Sequence, residues 1–567
     1  MDTKMKRRDF LKISALASVA VVAAACTTTA TPTAAPAVTL KATEVPKATA
    51  IPTTAPTAAP KATEVPKATV VPTKVGFQGD ILFYAQYYTP TSETTNPDPK
   101  APQIEAMKTL STQWMDTHPG INLMFLQPPA GDYATWIQTQ LIGGTGPDIF
   151  WYWLGTLHQW VDDGKTVSLN DYLEMPNRYI PEDKGAWKNT FKNPFLDSYS
   201  AKGNFGGVPE NMNSTGIFAN VDMLKSVGID VKAEIVPELG SPKDWATMIS
   251  WCQKLKDAGL LAISAGIGLI QQWWITGVMS DQFMNSWIAK YDGLNYHNQT
   301  PQKLQKGIIS QEEFLQAYFC DKLDPFADPG VRDMFRVIKD WTQYMPVGFA
   351  GEDLGNPLDL FLTNQLAMYW QPARLLGTVL QDNRRKFEFT SFWVPPVTKA
   401  TSEFVPDPPY LPIGVGGFGS VSYGLNQACI SRHNVDECVD WLMFITTPKN
   451  NEMIVNEVPS FIPSIKQARA LPEVENLFIG ETRLVSGGQH PVYSPYGWFG
   501  YQESKWTDAL IREETLYFLG ESTEDTFFAN LKAAAEPMAK DVIRRAAAQY
   551  TPNSPWDLTQ WKCQPAV

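Results

Sequence analysis

From residue 81 onward, short apolar strands alternate with amphipathic helices, and this alternation constrains the fold more than any other feature. Ile81 to Tyr84 reads as a strand. Gln103 to Thr117 reads as a helix with Ile104, Met107, Ser111 and Trp114 on one face, broken by Pro119-Gly120. Ile121 to Leu126 is the next strand, Tyr133 to Ile142 a second helix ending at Gly143-Gly144, and Asp148 to Tyr152 a third strand. A β-α-β-α-β order predicts a parallel sheet with helices on its faces. Ser241 is expected to cap a further helix with Pro242 at its first position and Asp244 at its third. Trp245, Met248, Cys252 and Leu255 would face inward, and Gly259 would stop it, which predicts a second α/β unit.

This pattern is confined to part of the 567-residue chain. Residues 27–75 hold 12 Ala, 14 Thr and 8 Pro among 49 positions and no aromatic, so that stretch cannot bury a core. KATEVPKAT occurs at 41–49 and again at 61–69, which suits a Pro-rich extended tether. Ahead of it, Lys4, Lys6, Arg7 and Arg8 precede the short apolar run Ile13 to Ala25, the layout of an export signal. That run is too short to span about 30 Å of hydrocarbon, and no comparable stretch follows. Residues 1–26 are read as signal, 27–75 as tether and 76–567 as the folded part.

Composition narrows the function. The whole chain carries −12, and residues 76–567 hold 37 basic and 55 acidic side chains, a balance that disfavours nucleic acid and anionic lipid as partners. The five histidines, His118, His158, His297, His433 and His490, never fall at helical ligand spacing, so no metal is expected. No Walker loop, HExxH, GxSxG, Cys-x-x-Cys or EF-hand loop occurs. Gly414, Gly416 and Gly419 satisfy GxGxxG, but Ser420 to Leu425 after them reads as strand, whereas a dinucleotide loop must open a helix, so no cofactor is expected. Five cysteines remain after Cys26, so at least one is unpaired within the chain. Cys429 and Cys438 are the expected disulfide, because the strand-like Ser420 to Cys429 leads through a loop to a helix starting at Asn434 with Cys438 in its first turn; two separate buried thiols are the alternative.

Several segments together give the chain a family likeness. Arg7-Arg8-Asp9-Phe10-Leu11-Lys12 resembles a twin-arginine export motif with Lys6 in place of the usual Ser or Thr; an ordinary signal carrying two arginines is the alternative. Ala23-Ala24-Ala25-Cys26 resembles a lipobox, whose cysteine is lipidated. HPGINLMF at 118–125, GTGPDIFWYW at 144–153, DDGKTVSLNDYL at 162–173, GVPENMNSTGIFANVDMLKSVGID at 207–230 and SPKDWATMISWCQKLKDAG at 241–259 follow in order. FLTNQLAMYWQPA at 361–373, GVGGFGSVSYGLN at 414–426 and DECVDWLMFITTPKNNEMI at 436–454 complete the series. In this order they resemble the extracellular solute-binding proteins of sugar ABC importers, the maltose-binding-like group. The likeness covers about residues 77–545 and is weaker over 260–360 and after 546.

The resemblance implies a two-lobed periplasmic-binding-protein-like α/β fold, each lobe a sheet flanked by helices, discontinuous in sequence and joined by crossing strands. Lobe 1 is expected at about 77–207 and 355–412, lobe 2 at about 208–354 and 413–567, with crossings near Val208-Pro209 and near Ile413 to Gly417. The family's ligand contacts carry over to Tyr87 or Tyr88, Trp151, Glu210 with Asn211, Trp273 or Trp274, Trp370, Gly416 with Gly417, and Tyr496 or Trp498. A sugar site needs flat apolar platforms beside groups that donate and accept hydrogen bonds, and Trp151, Trp153, Trp273, Trp274, Trp370 and Trp498 fall at segment ends or in loops, away from helix faces. The expected function is therefore non-catalytic: a monomer, lipid-anchored on the outer face of the membrane, that captures a mono- or oligosaccharide between its lobes and delivers it to ABC permease subunits. The same scaffold binding a peptide or polyamine, or an anchored carbohydrate-cleaving enzyme, are the alternatives; the second would need a carboxylate pair at glycosidase spacing.

Overall fold

The computed structural model describes residues 76–94, 103–129, 131–192, 203–212, 215–266, 268, 270, 273–291, 311–351, 355–372, 375–409, 421–475, 494–499, 504–549 and 557–565. All described residues belong to one compact unit, Thr73–Val567. No described helix is long and apolar enough to cross a membrane, and no described group of three His, Cys, Asp or Glu side chains could hold a metal ion.

Two sheets organise this unit. The first has strands β1 (Gly79–Tyr84), β2 (Ile121–Phe125), β3 (Ile149–Trp151), β4 (Gly207–Pro209) and β10 (Ser422–Leu425) in the order β2-β1-β3-β10-β4. β1, β2 and β3 are parallel, as the βαβ pattern predicts, and β10 runs against both β3 and β4. Alternating side chains divide between its faces. Ile81, Phe83, Ile149 and Tyr423 pack with Leu110, Trp114 and Trp441, whereas Phe150 meets Ile137, Leu157 and Trp160 on the opposite face.

The second sheet contains β6 (Thr215–Asn220), β7 (Leu261–Ser264), β8 (Leu366–Pro372) and β9 (Phe389–Phe392) in the order β7-β8-β6-β9. Ile217 and Ala219 face a large core with Trp245, Met279, Phe335, Trp341 and Phe527, while Phe218 faces a smaller one with Phe361, Tyr369 and Val379. The short strands β5 (Asn211–Met212) and β11 (Ile462–Pro463) pair with each other beside the crossing from β4 to β6.

Strand pairing corrects the expected lobe segments. β8 and β9 hydrogen-bond to β6, so 366–392 belong with the second sheet, not with lobe 1. Strand β10 and the helices Val435–Ile445 and Pro448–Asn456 pack into the first lobe, not the second, and the described residues of 494–499, 504–549 and 557–561 return to the second. The crossing through Val208-Pro209 is present as β4 to β6, and the one expected at 413–417 lies outside the described residues.

Local chemistry explains why these segments meet. Asp148, just before β3, is buried; its Oδ2 accepts the Leu82 amide at 2.8 Å, and its Oδ1 accepts from Arg432 Nη1 at 2.7 Å and Asn434 Nδ2 at 2.9 Å. It joins β1, β3 and the segment after β10 through charge-assisted bonds. Gly206 and Gly207 let β4 pass the helix Leu154–Asp162, since a Cβ at Gly206 would lie 2.0 Å from the Leu157 carbonyl oxygen and one at Gly207 2.7 Å from that of Tyr423. The helix Trp245–Asp257 begins three residues later than expected. Its cap is Asp244, whose Oδ1 accepts the Thr247 amide at 2.8 Å, while Ser241 forms an antiparallel bridge with Val236.

The disulfide also differs. Cys429 and Cys438 are buried free thiols; Cys429 Sγ lies 3.6 Å from Asp148 O and Cys438 hydrogen-bonds to Cys429, so each sulfur has a polar neighbour without a covalent bond. The bonded pair is Cys320–Cys563, with Cα atoms 5.5 Å apart, and Cys252 is a third buried thiol. The pair fastens the C-terminal segment, where Trp561 joins the core, to the helix Gln311–Cys320.

Candidate functional site

Strand directions place one edge of each sheet toward the crossing. Because β1, β3 and β4 run alike and β10 opposes them, the carboxyl ends of the first three and the amino end of β10 share an edge, from which Pro209 leads to β5 and β6. In the second sheet the amino end of β6 lies beside the carboxyl ends of β8 and β9, with Thr215 opposite Pro372 and Ile217 opposite Phe392; β7, parallel to β8, ends there too. Carboxyl edges of open α/β sheets are where such folds bind ligands.

The first edge carries a continuous aromatic cluster. Tyr84 ends β1, Trp151 ends β3, and Tyr152 and Trp153 follow it. Tyr133, at the start of the helix Tyr133–Ile142, stands 5.0 Å from Tyr84 and 5.2 Å from Trp151 between ring centroids, with Trp136 at 5.9 Å. Trp153 meets Trp151 edge-on at 5.3 Å and 67°. Tyr133 donates its hydroxyl to the Trp151 carbonyl at 2.6 Å, which fixes where the strand ends. Outermost is Trp153, 54% exposed; Trp151 is half-buried behind it.

Burial pushes the Tyr84 phenol up to about 12 and raises those of Tyr133 and Tyr152, so all three remain neutral near pH 7. At the rim, the Asp132 carboxylate is held below its ordinary range by the Thr135 hydroxyl at 2.5 Å and by the Thr135 and Ala134 amides. The edge therefore offers flat apolar faces next to an ionised acceptor, a combination suited to a ligand with C–H faces and hydroxyl rims.

The expected site residues fall into separate groups. Trp151 lies in the cluster, and Tyr87, 41% exposed beside Phe461 at 5.7 Å, stands in the loop following β1. Tyr88, Glu210 and Asn211 are fully buried at the crossing, where Asn211 Nδ2 donates to the Tyr88 hydroxyl at 2.8 Å.

Trp370 and Trp498 are not open platforms. Trp370 sits inside β8 opposite Ile217, 0% exposed, with its ring 5.4 Å from Trp341; strand alternation turns it into the large core. Trp498, 1% exposed, is stacked between Phe314 at 5.3 Å and Trp506 at 6.3 Å. Tyr496 is half-buried against the same core. Trp273 and Trp274 open the helix Trp273–Phe283 after β7; their side chains, and Gly416, Gly417, Cys26, Arg7 and Arg8, lie outside the described residues.

Sequence reasoning left Tyr84, Tyr133 and Trp136 out of the site and named Trp153 only among the tryptophans at segment ends, not among the carried-over contacts. Their signal was available: Trp151 and Trp153 flank Tyr152 where a strand ends, and Tyr133 directly follows the capping Asp132.

Comparison with known proteins bears on this geometry. The family described as bacterial extracellular solute-binding protein matches residues 100–452. Among solved structures, a chitin oligosaccharide binding protein is similar at 16% identity and TM-score 0.51, covering 82% of this chain and 99% of its own. Apo RafE from Streptococcus pneumoniae is similar at 15% identity and TM-score 0.53, covering 82% and 100%. AcbH, a bacterial solute receptor with an exclusive preference for β-D-galactopyranose, is similar at 16% identity and TM-score 0.54, also over 82% and 100%. No curated protein matches the sequence. The two sheets flanked by helices have the periplasmic-binding-protein-like fold of these structures.

Proposed function

This chain belongs to the bacterial extracellular solute-binding protein family, and from that premise we propose that it captures a carbohydrate at the aromatic edge of its first sheet and delivers it to an ABC importer. It is a binding protein and not an enzyme, as its family is. The observation that carries the carbohydrate reading is the exposed Trp153 ring set edge-on to half-buried Trp151, beside the ionised Asp132, on the edge that leads to the second lobe. Two rings at 67° present two platforms in different planes, which matches a ligand of stacked pyranose faces. Raffinose in one RafE complex, β-D-galactopyranose for AcbH and chitin oligosaccharide for a third neighbour set the starting ligands.

The ligand stays chemically unchanged in this reading, and closure of the second lobe over it is a hinge motion through the crossing strands. Lipidation at Cys26, export through Arg7-Arg8 and spacing from the membrane by residues 27–75 belong to the same proposal. Release from the membrane fraction by Cys26→Ser tests the anchor, since no described helix could hold the chain there.

A melting-temperature screen of the purified protein against galactose, raffinose, N-acetylglucosamine oligomers, peptides and polyamines tests the ligand class, because a ligand that binds only the folded state raises the midpoint. Stabilisation by a saccharide that chromatography recovers intact is the expected result. Stabilisation by peptide or polyamine alone would replace the carbohydrate reading, and cleaved products would replace the binding one.

A further inference from the structure

Glu210 occupies the step between two strands that lead out of the first lobe. β4 ends at Pro209 and β5 begins at Asn211. Its main chain is tied on both sides: the amide donates to Val421 O at 2.9 Å, and the carbonyl accepts from Asn451 Nδ2 at 2.7 Å and from Ser464 Oγ at 3.0 Å. Three segments distant in sequence, 209–212, 421–422 and 451–465, therefore meet at this residue. The Val421 amide in turn donates to Asn211 Oδ1 at 3.1 Å.

The Glu210 side chain is poorly provided for as an anion. It is fully buried; among the described residues Oε1 accepts one bond, from Asn451 Nδ2 at 2.9 Å, and Oε2 has no partner. A buried carboxylate needs several donors or a cation to remain ionised. The described groups facing it supply neither. The loop after β1 brings the Tyr88 phenol and β10 brings that of Tyr423, both neutral and pushed upward by burial, with Glu210 adding to the shift. The helix Pro448–Asn456 brings the amide of Asn451, and the segment after β11 the hydroxyl of Ser464. Burial raises the Glu210 carboxyl to about 8, and the Asn451 bond opposes that rise without cancelling it.

We propose that Glu210 is a positioning residue whose proton holds the crossing packed: the neutral acid lets the three segments meet, and loss of that proton draws water in, loosens them and weakens solute capture. The structural half stands on the burial and the unpartnered oxygen alone; the consequence for capture rests on the carbohydrate-binding reading above. The sign follows from linkage. An acid whose folded-state value is raised stabilises the packed state below its unfolded value and progressively less as pH rises through the folded one. One unit above about 8 the packed crossing is weakened about tenfold relative to pH 7.

Amide hydrogen exchange on the intact, unliganded protein tests this, read at Glu210 and Val421, whose N–H groups make the bonds described, and corrected for intrinsic exchange. Wild-type protection should fall about tenfold between pH 7 and 9, and in Glu210→Gln, which keeps shape and removes the titration, it should stay flat. An equal fall in both proteins, or none in the wild type, overturns the proposal. Asn451→Ala removes the bond that opposes the rise, so its midpoint should move to higher pH; a midpoint unmoved or lowered also overturns it, and this arm holds even where the glutamine variant does not fold. For any saccharide found to bind, the dissociation constant should rise in step with the loss of protection. If none binds at any pH, the capture reading fails, while the exchange profiles still decide the role of Glu210.

Discussion

Tyr133 donates its hydroxyl to the main-chain oxygen of Trp151 at 2.6 Å and lays its ring 5.2 Å from that indole. A helix start thus holds the end of a neighbouring strand in place, and the platform behind Trp153 is set before any ligand arrives. Replacing Trp153 by Ala should leave the melting temperature of the unliganded protein almost unchanged, because a ring already 54% exposed leaves little core behind. Saccharide affinity should fall by about 1–3 kcal/mol, roughly ten- to a hundredfold or somewhat more. Titration calorimetry with paired melting curves checks both, and unaltered affinity would remove Trp153 from the site.

Trp370→Ala and Trp498→Ala should behave in the opposite way. Both rings are sealed into the second lobe, so truncation leaves a cavity and should cost about 3–5 kcal/mol of stability. Affinity measured on whatever folds should change little. Denaturant unfolding separates the two pairs of outcomes.

These tryptophans mark where the sequence ceased to be informative. The helix Tyr133–Ile142 and the strand Ile121–Phe125 were legible because their apolar period and end signals are local. The partners of a strand are not local. Nothing in residues 366–372 states that they pair with 215–220, and nothing in 422–425 states that they run antiparallel to β3, so the lobe segments were exchanged. Trp370 looked like a platform because a strand covered by helices on both faces hides its inward residues as well as its outward ones. Glu210 and Asn211 were carried over as ligand contacts of the crossing segment, and what the sequence did not show is that both side chains are fully buried there.

The Cys320–Cys563 bond closes a loop of 243 residues, a pairing no local spacing could suggest. Cys320→Ser with Cys563→Ser should lower stability by about 2–5 kcal/mol, and reduction of the wild type should reproduce that loss. Cys429→Ser or Cys438→Ala should leave mobility on non-reducing gels unchanged, since neither thiol is bonded.

Glu514 is buried with neither carboxyl oxygen partnered among the described residues, and burial drives its carboxyl well above the ordinary range. An acid raised in this way stabilises the fold most at low pH and loses that contribution as pH rises. Glu514→Met should therefore raise stability by about 1–3 kcal/mol, the cost of an unsatisfied buried polar group. The gain should be larger at pH 9 than at pH 6 in urea titrations. A destabilised variant at both would mean that the carboxyl has a partner in the folded protein.

His158 makes the converse forecast at acid pH. Its Nδ1 accepts the Gly206 amide at 2.8 Å, which fixes the neutral tautomer with the proton on Nε2, and Nε2 itself is buried without a partner among the described residues. Burial lowers the imidazole from 6.5 to about 3, because a charged ring there would lose both hydration and the Gly206 bond. Below pH 6.5 the unfolded chain takes up a proton that the folded chain refuses. Stability should thus fall by about 1.4 kcal/mol per pH unit from 6.5 toward 3, and be unaffected by this group above 6.5. His158→Asn keeps an acceptor for Gly206 but cannot be protonated, so the variant should be less stable than wild type at pH 7.5 and show a shallower loss in acid. Unfolding free energies measured at half-unit steps from pH 7.5 to 4 decide it: parallel slopes in the two proteins would show that another group carries the acid sensitivity.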